Sequence, residues 1–387
     1  MELLGIGWQP SARTGWGVFG VNFAFEAHRS RRAMPCFRLA PSRSIGDLAD
    51  DQRLALGAVL AASEQVLAKI GERPDIASVS FPVAAAANHD FVTLSPRSTA
   101  ANHAVTFQEH SILSDNGRAR ARAFDTVIAG STWLGDWLRS EGLDNVRTVL
   151  QGIDPRRFRP GPEAAPESAA FRIFSGGKLE YRKGQDITIR AFRAFHDRHP
   201  EARLCFAWDN LYGGVSATIE HGGLVTRPPE IGPNTGDETA RWLVENGLPE
   251  GAFENLGMVP NREMPAILRR MDAALFTNRC EGGTNLVAME AMACAVPTIL
   301  SANTGHHDLI GDDNCYPLTD QIAVPWCPPQ GNVEQWGESS VEEAVEALEA
   351  IYSDRAEARR RATHGAATLA KLSWQHQTNL ILDAIGF

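Results

Sequence analysis

Two carboxylates, Glu281 and Glu290, flank a glycine-bearing turn in the run Arg279-Cys280-Glu281-Gly282-Gly283-Thr284-Asn285-Leu286-Val287-Ala288-Met289-Glu290. An apolar stretch, residues 273–277, leads into the turn, and a helical pattern opens near Asn285. The N–H groups of a helix's first turn have no partner inside the helix and carry partial positive charge, so they favour an anion. Glu290 falls about a turn and a half into that helix, where its carboxylate could accept hydrogen bonds from vicinal hydroxyls. Glu281, on the loop, could reach a different hydroxyl group. Two acids bracketing an anion-binding helix end suit a sugar nucleotide, with hydroxyls at both ends and charge in the middle. The plain alternative is an exposed helix residue and an ordinary loop acid.

Two other glycine-bearing loops carry related chemistry. Gly176-Gly177-Lys178-Leu179-Glu180-Tyr181-Arg182-Lys183-Gly184 follows a short strand and precedes a helix. Its cations Lys178 and Lys183, with Arg182, could meet a diphosphate, or the loop could simply be solvated. Gly15-Trp16-Gly17-Val18-Phe19-Gly20 spells G-x-G-x-x-G. A dinucleotide fingerprint would put the glycines directly after the strand and an acid at the end of the second strand. Here residues 9–14 intervene, and the second position reads Arg38-Leu39-Ala40-Pro41-Ser42-Arg43. Phosphate contact by this loop and a plain glycine-rich turn both stay open. A nicotinamide reading would need Arg43 on a 2′-phosphate.

Histidines and basic residues add candidates. His110, in Thr106-Phe107-Gln108-Glu109-His110-Ser111, lies just past a strand, where α/β proteins collect catalytic groups; a surface histidine is the alternative. His306-His307-Asp308 lacks a further ligand at metal spacing, so no metal site is expected. The cluster Arg29, Arg31, Arg32, Arg38 and Arg43 could meet an anionic acceptor or lipid headgroups, although a solvated face is the simpler reading. Trp133, Trp137 and Trp374 fall at helix positions and read as core.

The elements that must position these residues alternate short apolar runs with amphipathic helices, the pattern of α/β units. In the first half, strands are expected at 3–8, 76–83, 104–108, 126–129 and 146–150. Helices are expected near 21–29 and at 132–140, the latter with Ser131 as N-cap. Residues 151–170 hold four prolines and little periodicity, and read as a linker. In the second half, strands are expected at 172–174, 203–207, 253–256, 273–277 and 296–300, with helices at 186–199, 262–271 and 285–294. The Gly-, Pro- and Asn-rich stretch 209–236 reads as a long insertion, and the tail as helices near 340–352, 355–372 and 374–385.

The chain has 387 residues, enough for about two domains, and 43% hydrophobic with 22% charged residues is an ordinary globular balance. Residues 1–167 carry 18 basic and 18 acidic side chains, so the whole net charge of −10 falls on the second half. That distribution argues against bulk nucleic-acid binding, which needs a basic footprint. No uncharged apolar run approaches the length of a membrane span, and the N-terminus has no basic region followed by a long apolar one, so no secretory leader is expected. Six scattered cysteines without a C-x-x-C pair read as reduced, buried thiols of a cytoplasmic protein.

Taken in order, these features resemble the retaining GT-B glycosyltransferases of the large family 4, or group 1, type. The matches are the Gly15–Gly20 loop, Asp125-Thr126-Val127-Ile128-Ala129-Gly130-Ser131, and Gln151-Gly152-Ile153-Asp154 with Phe158 and Pro160. They continue with Gly177-Lys178-Leu179, Lys183-Gly184, Ala191-Phe192 and Gly257, and end in the Glu281…Glu290-Ala-Met-Ala-Cys-Ala-Val-Pro block. The resemblance implies an α/β GT-B architecture: two Rossmann-like domains facing across a cleft. Residues 1–165 would form the acceptor-side domain, with 373–387 packing back on it, and 166–372 the nucleotide-sugar-binding domain. It implies that a sugar passes from a nucleoside-diphosphate sugar to an acceptor hydroxyl with retention. The acceptor would be a saccharide, a lipid-linked molecule or a small molecule, met either in the cytoplasm or peripherally at the inner membrane face. No cofactor is implied, and no D-x-D motif lies in either cleft loop, so metal independence is expected.

The resemblance also assigns residues. His110 and Glu281 would stand at the reacting centre, with Glu281 on the donor sugar hydroxyls. Lys183 would hold the diphosphate, and Lys178 stands where the family has arginine, keeping the charge but losing the bidentate fork. Gly283, Thr284, Asn285 and Leu286 would present backbone to the donor, Glu290 would bind the ribose, and Gly15 and Gly17 would approach the diphosphate from the other domain. The family spaces its two glutamates by seven residues and this chain by eight. The insertion at 209–236 has no family counterpart. An NDP-sugar epimerase of the same architecture, an NADP-linked oxidoreductase and a non-catalytic sugar-nucleotide sensor are the alternatives.

Overall fold

A computed structural model of the chain describes residues 1–70, 78–93, 98–161, 170–208, 210, 213–230, 236–327 and 331–387. The first half runs β1 (Glu2–Gly7), α1 (Gly15–Arg29), β2 (Ala33–Phe37), α2 (Asp50–Ile70), β3 (Val83–Ala86), β4 (Asn102–Thr106), α3 (Asp115–Arg122), β5 (Thr126–Ala129), α4 (Thr132–Ser140) and β6 (Val146–Thr148). Its six strands form one parallel sheet in the order β2-β1-β3-β4-β5-β6. Parallel strands need covering helices on both faces. One face packs Leu4, Ile6, Val105 and Ile128 under α1 and α2, and the other packs Ala104, Val127 and Ala129 under α3 and α4.

The second half runs β7 (Arg172–Gly176), α5 (Gln185–His196), β8 (Arg203–Ala207), α6 (Gly213–Ser216), α7 (Gly236–Glu245), β9 (Phe253–Asn255), α8 (Met264–Leu268) and β10 (Ala273–Phe276). It continues through α9 (Leu286–Ala293), β11 (Thr298–Ser301), β12 (Tyr316–Leu318), α10 (Val341–Ser353), α11 (Arg355–Ala370) and α12 (Trp374–Ala384). The strand order is β12-β11-β10-β7-β8-β9, again parallel. Strand order reverses between β7 and β10, and between β1 and β3 in the first sheet. Open α/β sheets bind ligands outside the carboxyl ends of the strands at such reversals.

The chain crosses between the halves twice, side by side. Ile153 and Ser373 form a parallel bridge, with Ile153 N–H on the Leu372 carbonyl at 2.8 Å and Trp374 N–H on the Ile153 carbonyl at 3.0 Å. From there α12 lies against α1. Trp374 meets Phe19 edge-on at 5.6 Å, Ile381 and Leu382 join the first sheet's core, and Arg32 pairs with Asp383 at 2.5 Å. Gly152 is required beneath this crossing, because a Cβ there would lie 2.7 Å from the Trp374 backbone.

Several expectations change. The G-x-G-x-x-G run is not a loop before the helix but its first turns: α1 starts at Gly15, with the Thr14 hydroxyl accepting from Gly17 N–H. Two elements are not among those expected: β2, an edge strand, where the missing N–H of Pro35 is tolerated, and α2, whose surface is mixed, with Leu54 84% exposed. Of the strand expected at 76–83, residues 76 and 77 lie outside the described residues, and only Val83 is in β3. Within 209–236, α6 and a 3-10 turn, Ala217–Gly222, are seen, anchored by buried Ile219; residues 209, 211, 212 and 231–235 lie outside the described residues. Between β12 and α10 the chain forms a double hairpin, Gln321–Ala323 paired with Gly337–Ser339 and Trp326–Cys327 paired with Gly331–Asn332. No helix among the described residues is long and apolar enough to cross a membrane.

The basic cluster is not one face. Arg38 is buried, Arg29 pairs with Glu26 at 2.7 Å, and Arg32 is held on α12, leaving Arg31 and Arg43 exposed. Trp137 and Trp374 are core. Trp133 is half-buried and instead donates to Gln335 of the double hairpin at 2.5 Å.

Candidate functional site

The reversal between β7 and β10 is locked by hydrogen bonds between the loops that leave these strands. Gly184 sits at φ +68°, capping α5, and a Cβ on it would fall 1.9 Å from the Thr277 carbonyl oxygen. The Thr277 hydroxyl donates to the Gly184 carbonyl at 2.6 Å, and Arg279 N–H donates to the Arg182 carbonyl at 2.7 Å. Arg279, fully buried, forks onto both Asp186 oxygens at 2.8 Å, pairs with Glu338 and lies 4.0 Å over the Tyr181 ring. Gly184→Ala is therefore expected to destabilise the protein by roughly 2–5 kcal/mol, from left-handed strain plus steric overlap. Urea unfolding would show it, and a change under about 0.5 kcal/mol, the range of an ordinary surface substitution, would refute this account.

This lock sets Lys183 on Glu281. The Glu281 carboxylate, 5% exposed, accepts from Lys183 Nζ and Asn278 Nδ2, and from Arg182 at 3.2 Å. Burial alone would raise its pKa, but the Lys183 and Arg182 charges hold it down at about 2. Arg182 also reaches Glu180 at 2.6 Å and, across the cleft, Glu109 at 3.4 Å. Lys178 turns to Glu180 at 3.5 Å and is half-exposed, at the rim of this cluster rather than on Glu281.

The turn between Glu281 and α9 has no room for side chains. A Cβ on Gly282 would meet the Phe107 carbonyl at 2.2 Å, and one on Gly283 the Gln151 Oε1 at 2.7 Å. Thr284 donates its N–H to Gln151 Oε1 at 3.0 Å. Asn285, at φ +57°, is the N-cap: its Oδ1 accepts from Ala288 N–H, and its Nδ2 meets His306 Nε2 at 3.0 Å. The other His306 nitrogen lies 3.1 Å from the Ser301 carbonyl. A carbonyl can only accept, so the network assigns the proton to Nδ1 and leaves Nε2 to accept from Asn285. Burial keeps the ring neutral, with a pKa near 4. The N–H groups of Leu286 and Val287, first in α9, meet no acceptor among the described residues. Leu286 itself packs against the hydrophobic cores of both halves.

Glu290 faces a narrow space walled by Val18, Asn22, Gln52, Arg157 and Asn261. Its carboxylate accepts from Asn261 Nδ2 at 2.5 Å, and burial lifts its pKa to about 8 against that bond. His110 is 7% exposed, its ring 4.5 Å edge-on from His89 and roughly parallel to Trp336 at 6.5 Å. Burial, then His89 and Arg182, bring its pKa to about 4, so it is a neutral imidazole.

The structure thus sets Lys183 on Glu281 at one end of the turn through Gly283, Thr284 and Asn285, places Leu286 and Glu290 on the space at its other end, and brings His110 near the first cluster through the Arg182–Glu109 contact. Gly15 is open, while Gly17 lies flat on Ser11 and has its N–H capped by Thr14, so its glycine serves packing. The segment 306–308 scatters: His306 turns inward, His307 is exposed, and Asp308 accepts from Thr132 N–H at 2.8 Å. Sequence reading counted Arg182 among the loop cations but not as a partner of Glu281, and it passed over Asn278, Asn261, His306's role at Asn285, and Gln151 as a contact; only three-dimensional pairing shows what these residues hold.

Residues 162–368 match the family model described as glycosyl transferases group 1. The D-inositol 3-phosphate glycosyltransferase of Saccharomonospora viridis is 26% identical over 62% of this chain and 49% of its own length. The chain spans about half, or less, of the length of the curated relatives of this kind that it matches. The O-antigen chain mannosyltransferase B of Escherichia coli is 33% identical over 20% of each chain. Among solved structures, an Anabaena protein, HepE, in complex with UDP-glucose aligns over 99% of both chains with a TM-score of 0.66 at 16% identity. The sucrose-phosphate synthase of Thermosynechococcus elongatus aligns over 99% of this chain and 98% of its own with a TM-score of 0.64 at 14% identity. The two facing parallel sheets are those of the GT-B fold.

Proposed function

The chain belongs to the group 1 glycosyl transferases, and from that premise we propose that it transfers a sugar from a nucleoside-diphosphate sugar to an acceptor hydroxyl, with retention and without a metal. One observation carries the reading: at the β7/β10 reversal, Lys183 and Arg182 converge on Glu281 beside the opening of α9. The α9 N–H groups and the Lys183 ammonium stabilise the departing diphosphate, where negative charge develops in the transition state. Glu281, ionised throughout the neutral range, accepts from the donor-sugar hydroxyls and shares Lys183 with the phosphate. Glu290 takes the ribose hydroxyls. His110, neutral, lies on the acceptor side and offers a hydrogen bond to the sugar at the reacting centre. Closure of the two halves excludes water that would otherwise hydrolyse the donor.

Metal independence is supported by the lack of a D-x-D motif and by cations already assembled at the diphosphate position. Retention follows from the family resemblance. The division at 1–165 and 166–372, with 373–387 returning to the first half, is supported by the paired crossings at Ile153 and Ser373. The acceptor is expected to be a saccharide, a lipid-linked molecule or a small molecule, met in the cytoplasm or peripherally at the inner membrane face.

The test is a thermal-shift screen of UDP-, GDP-, ADP- and dTDP-sugars, with and without EDTA. UDP-glucose comes first, because the Anabaena neighbour was solved with it. A donor at 100 times its dissociation constant should stabilise by about 2.7 kcal/mol, equally in EDTA. No shift from any NDP-sugar would sink the reading, and a shift lost in EDTA would sink its metal-free part.

A further inference from the structure

The double hairpin between β12 and α10 belongs to the second half of the chain, yet it grips the loop that carries His110 in the first. Trp336 donates its indole N–H to the Glu109 carbonyl at 2.7 Å. The Ser111 hydroxyl donates to the Glu334 carbonyl at 2.9 Å and accepts from Glu334 N–H at 2.8 Å. Between these two anchors the His110 imidazole lies nearly parallel to the Trp336 ring, at 18°. Trp336 is 2% exposed and fixed in its own small core with Tyr181, Cys280, Val324, Cys327 and Val333. Cys280, the residue before Glu281, also donates to the Glu109 carbonyl. One carbonyl of the first half therefore receives both the hairpin and the Glu281 turn.

We propose that Trp336 is a positioning residue for the transfer reaction: through the Glu109 carbonyl it fixes the His110 ring against the Glu281 turn when the two halves close. This rests on the glycosyltransferase reading for the word "transfer", but the positioning itself can be read without turnover. A side chain held at both neighbours and over its ring has one orientation. A shift of about 1 Å at a reacting group can lower rate by around a hundredfold. The groups facing His110 are His89 and the Arg182 guanidinium, and both oppose a proton on the ring. Loosening the loop lets the imidazole reach water and turn from Arg182, so its titration must move up.

The experiment compares wild type with Trp336→Phe, which keeps a buried ring and deletes the donor N–H, and with Ser111→Ala, which removes the other anchor and folds independently of the indole. Histidine-labelled NMR, with His110 assigned by its loss in His110→Ala, follows the ring's titration in each. In both variants the His110 titration should rise by at least one pH unit. With a donor in hand, kcat should fall about ten- to a hundredfold while the donor KM stays within about twofold, because only the transition state feels the displaced ring. An unchanged His110 titration in either folded variant overturns the proposal, as does a matched rise in donor KM with kcat intact. A shifted titration in a protein that turns over no NDP-sugar keeps the positioning and overturns the transferase reading instead.

Discussion

Lys183→Ala is expected to lose transfer by two to three orders of magnitude and to destabilise the protein by about 3–5 kcal/mol. The first figure is typical of removing one preorganised partner of developing charge; the second is the cost of breaking a buried ion pair and leaving a charge uncompensated, an upper bound here because Arg182 stays on Glu281. The charge left is Glu281, which Lys183 and Arg182 keep ionised down to about pH 2. The stability Glu281 contributes by its lowered pKa is present above its ordinary value of 4.5 and is lost as pH falls from there towards 2. The variant's deficit should accordingly be largest at neutral pH and shrink on acidification through that window. Adding Glu281→Gln should restore much of the stability, since no unpaired charge remains, and none of the activity. Urea unfolding at pH 7 and pH 3, with donor turnover of the single and double variants, checks this. A deficit that does not change with pH, or a double variant as unstable as the sum of the singles, would contradict it.

Glu290→Gln should do the opposite to stability. Burial lifts the Glu290 pKa from 4.5 to about 8. A carboxyl with a raised folded pKa costs nothing below its unfolded value, and it lowers stability progressively as pH rises from about 4.5 to about 8. At pH 7 that cost is on the order of 3 kcal/mol, at 1.36 kcal/mol per unit. Glutamine keeps the acceptor for Asn261 Nδ2 and cannot ionise. The variant should be more stable than wild type at pH 7 by up to that amount and indistinguishable from it at pH 4. Its donor KM should rise by roughly three- to tenfold, the net worth of a hydrogen bond between neutral groups. Denaturant midpoints across pH 4–8 read the first effect and steady-state kinetics the second. A stability difference that is flat over this range would show that the carboxyl is already solvated. The pair of residues shows why one acid of the crevice is ionised and the other neutral: Glu281 has two cations against it, and Glu290 has an amide.

Much of the crevice was legible because it is local. The turn from Glu281 to Asn285 and the helix after it lie within one short run, and the apolar strand before them fixes where they point. Ser131 as the N-cap of α4 was legible for the same reason, its hydroxyl accepting from Leu134 N–H. What stayed hidden depends on residues far apart in sequence. Gln151 meets Thr284 and Trp336 meets Glu109 only where the two halves dock, and Asn261 meets Glu290 from a different loop of the second half. The glycines of the Gly15–Gly20 run could be read two ways because their spacing fits a phosphate loop as well as a packed turn; Gly17 and Gly20 make room for Ser11 and Trp8, and Gly15 stays open. β2, with Pro35 in its middle, was not assigned; the structure places it at the sheet edge, where a missing N–H is tolerated.

The doubled crossing at Ile153 and Ser373 limits how the halves can move. Two neighbouring chain segments, tied to each other by main-chain hydrogen bonds, act as the spine of a book. The covers can swing, but they cannot slide past each other or twist about a single thread. The arc is read away from the spine, where the Glu109 carbonyl touches the opposite half. Admission of substrate and release of product then become one angular coordinate, and whatever stiffens the spine slows both.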